Sequence, residues 1–475
     1  MPTQSNVSSA VGPAAARAWP PAVLPPLLDR AVADAVYGAP HTLLALVARY
    51  GSPLHLVWPH LLQQNVATFR DVLDSHGVPH QLFYGAKVNK SQALMRAAVQ
   101  AGIGIDVSSI HEMADALRAG ADPARLCATG PAKTAAFHAA LLHQGALNAV
   151  DSPEEFAELE RCVPAMPAAT SKARVLLRYR PHASGDSRFG MGGGALLACL
   201  QRLARQRDRF VFEGFHFHLG GYAWEPRAQA IRELDRYVEA ARGLGLAPRY
   251  LDIGGGMPIR YVDGDACDRY LDAQGPDDYR HGTVPASFYP YGGRHGAAGW
   301  LAALLAAPGP GQHTIAAYLA ASGMTLALEP GRSLVDQAAV SAFRITRVKQ
   351  TAPGRHVVFV EGSSFSACET WFASEFLVDP VLVSAAPRPA AAPGTPVRAY
   401  IAGHSCLDDD VLTNRLIAFP HQPQAGDLLV FANTAGYQMD LLENEFHRHP
   451  LPRRIALTPN AHGGMDVSID HSWKE

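Results

Sequence analysis

Lysine is scarce in this 475-residue chain, with six against 35 arginines. Where a cation alone was needed arginine is usually present, so a well-placed lysine asks for chemistry that arginine cannot perform. Cysteine is sparse as well. The six cysteines (Cys127, Cys162, Cys199, Cys267, Cys368 and Cys406) form no CxxC pair and no dense cluster, which excludes a disulfide framework and leads to an expectation of reduced thiols in a cytosolic setting. No stretch approaches ~18 uninterrupted apolar residues, so no membrane span is expected. Met1 to Arg30 lacks the basic region, apolar run and cleavage site of a secretory signal. A formal charge of -2 gives no global attraction to nucleic acid or an anionic membrane. With 48% hydrophobic and 18% charged residues the chain is neither disordered, coiled-coil nor collagen-like. The expected partner is a small molecule. The Ala/Pro segments 13–26 and 385–396 read as a loose terminus and a surface loop.

From residue 81 short apolar runs alternate with amphipathic stretches, the pattern of parallel strands joined by helices. Eight runs are expected as strands: Gln81–Ala86, Ile103–Val107, Arg125–Thr129, Leu147–Val150, Arg174–Tyr179, Phe212–His218, Tyr250–Ile253 and Thr325–Glu329. Ser109-Ile-His-Glu112 reads as a capping box, and Ser152-Pro-Glu-Glu155 places proline at a first helical position. Eight such units over about 250 residues point to a closed (β/α)8 barrel, with an open doubly wound sheet as the alternative. The stretch 257–324 is too long for a simple connection and reads as a lid or interface. After Arg332, Val340–Val348, His356–Val360, Val397–Ala402 and Asp427–Ala432 read as strands without helices between them. The expected organisation is an N-terminal segment 1–50 pairing with the β domain, a barrel 51–335 and a mostly β domain 336–475. Gly51–Trp58 is a further candidate for pairing with that domain.

Barrel active sites lie at the C-terminal strand ends, which directs attention to the polar residues there. Lys87 ends the first run; taken alone it is an ordinary surface lysine, or an amine poised for Schiff-base chemistry with its pKa lowered. Gly254, Gly255 and Gly256 follow the seventh strand and read as a turn or as backbone donors around a phosphate. His216 and His218 share a strand face, suited to a metal or to one imidazole lying on an aromatic cofactor. Glu329 and Arg332 form a salt-bridged strand end, or else a carboxylate for a ring nitrogen and a guanidinium for a phosphate. An amine for an aldehyde, a flat ring partner, a phosphate cradle and a carboxylate together describe one ligand, pyridoxal phosphate.

The ordered motifs Tyr84-Gly-Ala-Lys87-Val-Asn, Asp106-Val-Ser-Ser, Ser187-Arg-Phe-Gly190, His216-Phe-His218-Leu-Gly-Gly, Asp252-Ile-Gly-Gly-Gly256, Glu329-Pro-Gly-Arg332 and Gly403-His-Ser-Cys406-Leu-Asp-Asp-Asp410 carry a resemblance. From about Gly51 to Pro452 the chain resembles the pyridoxal-phosphate-dependent decarboxylases of the diaminopimelate and ornithine decarboxylase family, which join an alanine-racemase-like barrel to a C-terminal β domain. The resemblance implies that Lys87 is the Schiff-base lysine, that His218 stacks on the ring and that Glu329 keeps its nitrogen protonated. It implies Asp106 and Arg178 near the cofactor, and Gly254, Gly255, Gly256, Gly331, Arg332 and Tyr437 around the phosphate. It makes Cys406 a catalytic acid and Asp410 the residue binding a distal substrate amine, both reaching the site of the other subunit in a head-to-tail homodimer. Glu112 matches a family position near the cofactor, but its capping role accounts for it and it stays outside the expected site.

Two departures bear on the substrate. The stretch Glu361–Trp371 lacks the substrate-loop pattern of diaminopimelate decarboxylases, and Leu407 stands where their cysteine is followed by an acid. The segments Cys406–Asp410 and Phe431–Tyr437 resemble instead the branch acting on amino-acid conjugates in siderophore assembly, such as citryl-diaminopropionate. The expected activity is α-decarboxylation of a diamino acid or such a conjugate; the alternatives are decarboxylation of diaminopimelate, ornithine or lysine, or racemisation on the same fold. Racemases of this fold place an arginine near the ring nitrogen, and Glu329 argues against that. A catalytically silent relative and a metal hydrolase using His216 and His218 are the outsiders.

Overall fold

The computed structural model describes residues 23–163, 172–367, 369–386, 396–442 and 446–470. The two Ala/Pro segments fall mostly outside these residues, and Cys368 wholly so. A first strand, β1 (Leu54–Val57), precedes eight parallel strands: β2 (His80–Gly85), β3 (Gly104–Val107), β4 (Leu126–Ala128), β5 (Leu147–Val150), β6 (Ala173–Arg178), β7 (Phe210–His216), β8 (Tyr250–Asp252) and β9 (Thr325–Leu328). These eight close on themselves, β9 pairing back onto β2 with Leu82 opposite Leu328, so the open-sheet alternative is excluded. Each expected run overlaps one of them, with ends displaced by at most two residues. Phe83, Cys127, Leu147, Ala149, Leu176 and Ala327 plug the interior, leaving the C-terminal strand ends as its open mouth.

Local signals set the helices as expected. Ser109 Oγ and Ser152 Oγ accept from Glu112 N and Glu155 N, both at 3.1 Å, while Glu112 and Glu155 reach back to Ser108 N and Asp151 N, both at 2.6 Å. The stretch 257–324 differs from a plain lid. It holds helices Gly264–Ala273, Ala297–Ala306 and Ile315–Ser322. Trp300, Leu301, Leu304 and Leu305 of the second are buried as that helix packs on Pro59–Ser75 and Glu225–Gly243. An alanine-rich helix apolar all round shows no periodicity, which is why the sequence reads there as insertion.

The second unit is a nine-stranded sheet. Its strands are β1 with β10 (Ala339–Ala352), β11 (Arg355–Val360), β12 (Val381–Val383), β13 (Val397–Ala402), β14 (Val411–Phe419), β15 (Leu428–Ala432), β16 (Arg453–Pro459) and β17 (Met465–Ile469). β1 lies between β10 and β16, antiparallel to the first and parallel to the second, with Leu54 opposite both Ala342 and Arg453. The residues from Gly51 to Val57 therefore lead through this sheet before the barrel begins, later than the boundary expected at residue 51. The helix Pro40–Tyr50 adds no strand, but the segment before Gly51 does contact the second unit: Leu24 N–H donates to Asp379 Oδ2 at 2.7 Å and Arg344 Nη2 donates to the Val47 carbonyl at 3.4 Å. Buried contacts tie β1 in: His55 Nδ1 lies 2.7 Å from Ser341 Oγ, which lies 2.8 Å from Thr434 Oγ1.

Candidate active site

Lys87 sits on the single turn Ala86–Val88 that follows β2, and its amine reaches to 3.9 Å from Asp106 Oδ2. Burial lowers the pKa of this amine, but Asp106 and Glu329 outweigh that and raise it overall, contrary to the lowered value expected of a Schiff-base lysine. Asp106 is the penultimate residue of β3 and does not cap a helix; its Oδ1 accepts from Thr129 Oγ1 at 2.7 Å. Burial first, then the Glu329 charge, push its carboxyl up to about 6 against the pull of Lys87.

Glu329 follows β9 and faces both histidines, His216 Nε2 at 3.1 Å and His218 Nδ1 at 4.0 Å. Burial holds His218 down to about 3 and His216 well below its ordinary value, so both imidazoles are neutral near pH 7. The Gly255 N–H donates to His218 Nδ1 at 3.2 Å and fixes that ring. Gly254 N–H donates to Asp252 Oδ1 at 2.9 Å. Two of the three glycine donors expected for phosphate are thus engaged within the protein. Their value is shape: at Gly254 (φ +67°) a Cβ would lie 2.5 Å from His218 Nδ1, and at Gly255 2.6 Å from the Glu329 carbonyl oxygen.

Two cavities meet at Lys87, His218 and Glu329. The first, about 380 Å³, is lined by Gly255, Gly256, Gly331, Arg332, Tyr437 and Tyr289, among others. Arg332 Nη1 bonds the Gly436 carbonyl at 3.2 Å and Glu369 Oε1 at 3.4 Å, and its guanidinium lies over the rings of Tyr289 (4.9 Å) and Tyr437 (5.2 Å). Tyr437 adopts φ +74°, a strained setting for a non-glycine residue that aims its hydroxyl to 3.0 Å from where a Gly331 Cβ would stand. The second cavity, about 810 Å³, is lined by Arg178, Arg188, Phe189, Ser184, Ser187 and Thr129 with others. Arg178 belongs to this chamber and not to the first. It pairs with Asp151 Oδ1 at 3.0 Å, and Asp151 Oδ2 accepts from Gly190 N at 3.1 Å, which ties the loop before Met191 to the barrel.

Cys406 and Asp410 lie elsewhere, on the loop after β13, and line neither cavity. Cys406 is exposed. Asp410 is 2% exposed and accepts from Ser364 N (2.7 Å), Ser364 Oγ (2.6 Å) and Ser405 N (3.0 Å). With its oxygens engaged inside the loop it presents nothing to a substrate amine, which corrects the substrate-binding expectation: motif spacing reports position, not which way a carboxylate turns. Asp252, Glu369, Asp151 and Tyr289 are site residues that sequence reasoning passed over. For Asp252 a signal existed, an ionisable side chain at the end of an apolar strand.

The residues around the first cavity fit pyridoxal phosphate. Glu329 lines both cavities and offers a carboxylate to a protonated ring nitrogen, and the buried Arg332 Nε lacks an acceptor. A neutral imidazole offers a flat face, and Gly220 and Gly221 leave open space beside it.

The family pattern for the pyridoxal binding domain of pyridoxal-dependent decarboxylases matches residues 61–272. The chain is 54% identical over 447 residues to the uncharacterized protein y4yA of Sinorhizobium fredii, covering 94% of this chain and 96% of that one. It is 25% identical over 434 residues to the diaminopimelate decarboxylase of Zymomonas mobilis, covering 87% and 90%. Among solved structures, diaminopimelate decarboxylase of M. jannaschii in complex with L-lysine superposes with a TM-score of 0.70 at 17% identity over 90% of this chain and 91% of that one. The Paramecium bursaria Chlorella virus arginine decarboxylase bound to agmatine gives 0.63 at 17%, covering 86% and 96%. At such identity these two establish the shared fold. With its closed barrel, its β sheet and these relatives, the chain belongs to the pyridoxal-phosphate-dependent decarboxylases of the diaminopimelate and ornithine decarboxylase family and is a carboxy-lyase acting on an amino acid.

Proposed function

We propose that the substrate is a diamino acid whose distal end is conjugated and carries carboxylate, of the citryl-diamino acid type used in siderophore assembly. One observation carries this reading: the larger cavity beside Lys87 offers the guanidinium groups of Arg178 and Arg188, and its only lining carboxylate is Glu329, which faces the histidines. Glu369 lines only the smaller cavity, where its Oε1 is held by Arg332, Tyr291 (2.5 Å) and Gln438 (3.2 Å). In the larger chamber Arg178 and Arg188 lie 4.6 Å and 4.3 Å from the ring of Phe189, and Arg188 pairs with no carboxylate among the described residues. A free distal ammonium would meet positive charge there; a carboxylate would find bidentate donors. The exposed Leu407 beside Cys406 supports the same reading.

Pyridoxal phosphate, when bound, supplies the electron sink that accepts the pair released as the Cα–carboxylate bond breaks. The chain's own residues do the rest. Lys87 would hold the cofactor, Glu329 would keep the ring nitrogen protonated, and His218 would pack on the ring face. Arg332, Tyr437, Gly256 and Gly331 would hold the phosphate, and Asp106 orders the Lys87 amine. The proton that replaces carbon dioxide on Cα comes from the Cys406 thiol of a second copy. Support for that arrangement is the exposure of Cys406 away from its own chain's cavities, together with the exposed Phe372 and Leu441 at the cavity mouth and Leu407 and Phe446 near the cysteine.

Carbon dioxide release from diaminopimelate, ornithine, lysine and citryl-diaminopropionate tests the proposal. The conjugate is expected to give a kcat/KM at least about tenfold above the free diamino acids, and Arg188→Ala to erase that margin. Faster turnover of any free diamino acid would refute it.

A further inference from the structure

Three carboxylates crowd the inner end of the site. Asp252, at the end of β8, is fully buried, and one of its oxygens, one of Glu329 and the buried Cys127 Sγ all lie within 4.8 Å of one another. Asp106 adds a third buried acid. Lys87 is the cation nearest two of them, lying 3.9 Å from Asp106 Oδ2 and within the field of Glu329. Arg178 is committed to Asp151, both histidines are neutral, and the Cys127 thiol is pushed well above its ordinary value by burial and by these acids, so it carries no charge.

The hydrogen bonding is incomplete in a telling way. Asp252 Oδ1 accepts from Gly254 N, but Asp252 Oδ2 and Glu329 Oε1 are both buried and both without a partner. Two ionised carboxylates with oxygens within 4.8 Å of one another repel, whereas a single proton shared between them removes that repulsion. We infer that Asp252 is a positioning residue that holds this proton permanently and donates it to Glu329, which remains the charged member of the pair. The placement decides which acid keeps the proton. Glu329 lines both cavities and faces two imidazoles, while Asp252 lines neither cavity and has no cationic partner among the described residues. Burial first, then the Glu329 charge, raise the Asp252 carboxyl well above the usual range, against the pull of Gly254 N–H. Two consequences follow. The Glu329 carboxylate is locked in plane with one oxygen occupied, leaving the other for a ring nitrogen; and the acid that touches the ring does not itself carry the spare proton.

Infrared spectra of the full chain at pH 7, recorded with and again without pyridoxal phosphate, are subtracted as wild type minus each of Asp252→Asn, Asp252→Leu and Glu329→Gln. Wild type should show, beyond the cancelling contribution of other buried acids such as Glu375, the carbonyl band of a protonated carboxylic acid that Asp252→Asn removes. Because an asparagine amide still donates to Glu329 while its oxygen still accepts from Gly254, Asp252→Asn should keep cofactor affinity and kcat within about threefold. Asp252→Leu should lose about tenfold or more in kcat and should shift the pH titration of the bound chromophore, which a merely structural role would not do. The inference fails if wild type lacks the band, if Glu329→Gln and not Asp252→Asn removes it, or if Asp252→Asn falls as far as Asp252→Leu.

Discussion

Replacing Asp410 separates two roles that the motif alone cannot. In Asp410→Ala, Ser364 N, Ser364 Oγ and Ser405 N lose their acceptor, and Ser364 is fully buried. Each abandoned buried donor costs about 1–3 kcal/mol; the fully buried Ser364 N–H, the half-buried Ser405 N–H and a hydroxyl that can turn elsewhere sum to roughly 2–5 kcal/mol. Unfolding entropy of about 2.1 cal/mol/K per residue, taken over the whole chain, converts this to a fall in Tm of roughly 2–5 °C. The variant should therefore melt earlier in a calorimetric or fluorescence scan of the cofactor-loaded protein. Its KM for the preferred substrate, measured below the transition, should change little. A carboxylate that bound substrate would give the opposite pattern, and an unchanged Tm with a KM raised tenfold or more would refute the structural assignment.

Burial pushes the fully buried Glu375 up to about 7, against the Arg415 charge and the N–H groups of Arg415 and Asn414. The folded state thus binds this proton more tightly than the unfolded state. The stability so gained is complete below pH 4.5 and disappears as pH rises to about 7, a decline of up to ~3 kcal/mol. Glu375→Gln should flatten that decline in urea titrations at pH 5 and pH 8; equal slopes in both proteins would contradict it. For Arg332→Lys, loss of the planar fork beside Tyr289 and Tyr437 should weaken pyridoxal phosphate binding by about tenfold or more, read from absorbance titrations. Unchanged affinity would remove Arg332 from the cradle.

The barrel was legible because each stave is a short apolar run closed by a turn, and burial on both faces leaves such runs nearly unbroken. Lys87, His218, Glu329 and Arg332 were legible for a related reason: polar residues ending those runs have only the mouth to face. β14 and β16 were not read, although their burial is as deep, because Thr413, Asn414 and Arg415 or Arg453 and Arg454 interrupt the apolar texture. Asp252 and Asp410 show the limit most clearly. Both are aspartates in recognisable motifs, yet one turns toward another acid and the other into its own loop, and only the three-dimensional neighbours distinguish them.

The position of β1 has a consequence for biosynthesis. Its neighbours on either side, β10 and β16, are separated from it by the entire barrel sequence. At ~5–20 residues per second a ribosome needs roughly 15–60 s to travel from Leu54 to Ala342, and longer to reach Arg453. During that interval an apolar strand waits with both edges bare, so the newborn polypeptide should depend on a chaperone that shields its early segments. Genetic excision of either half would leave the remainder with an open seam prone to clumping.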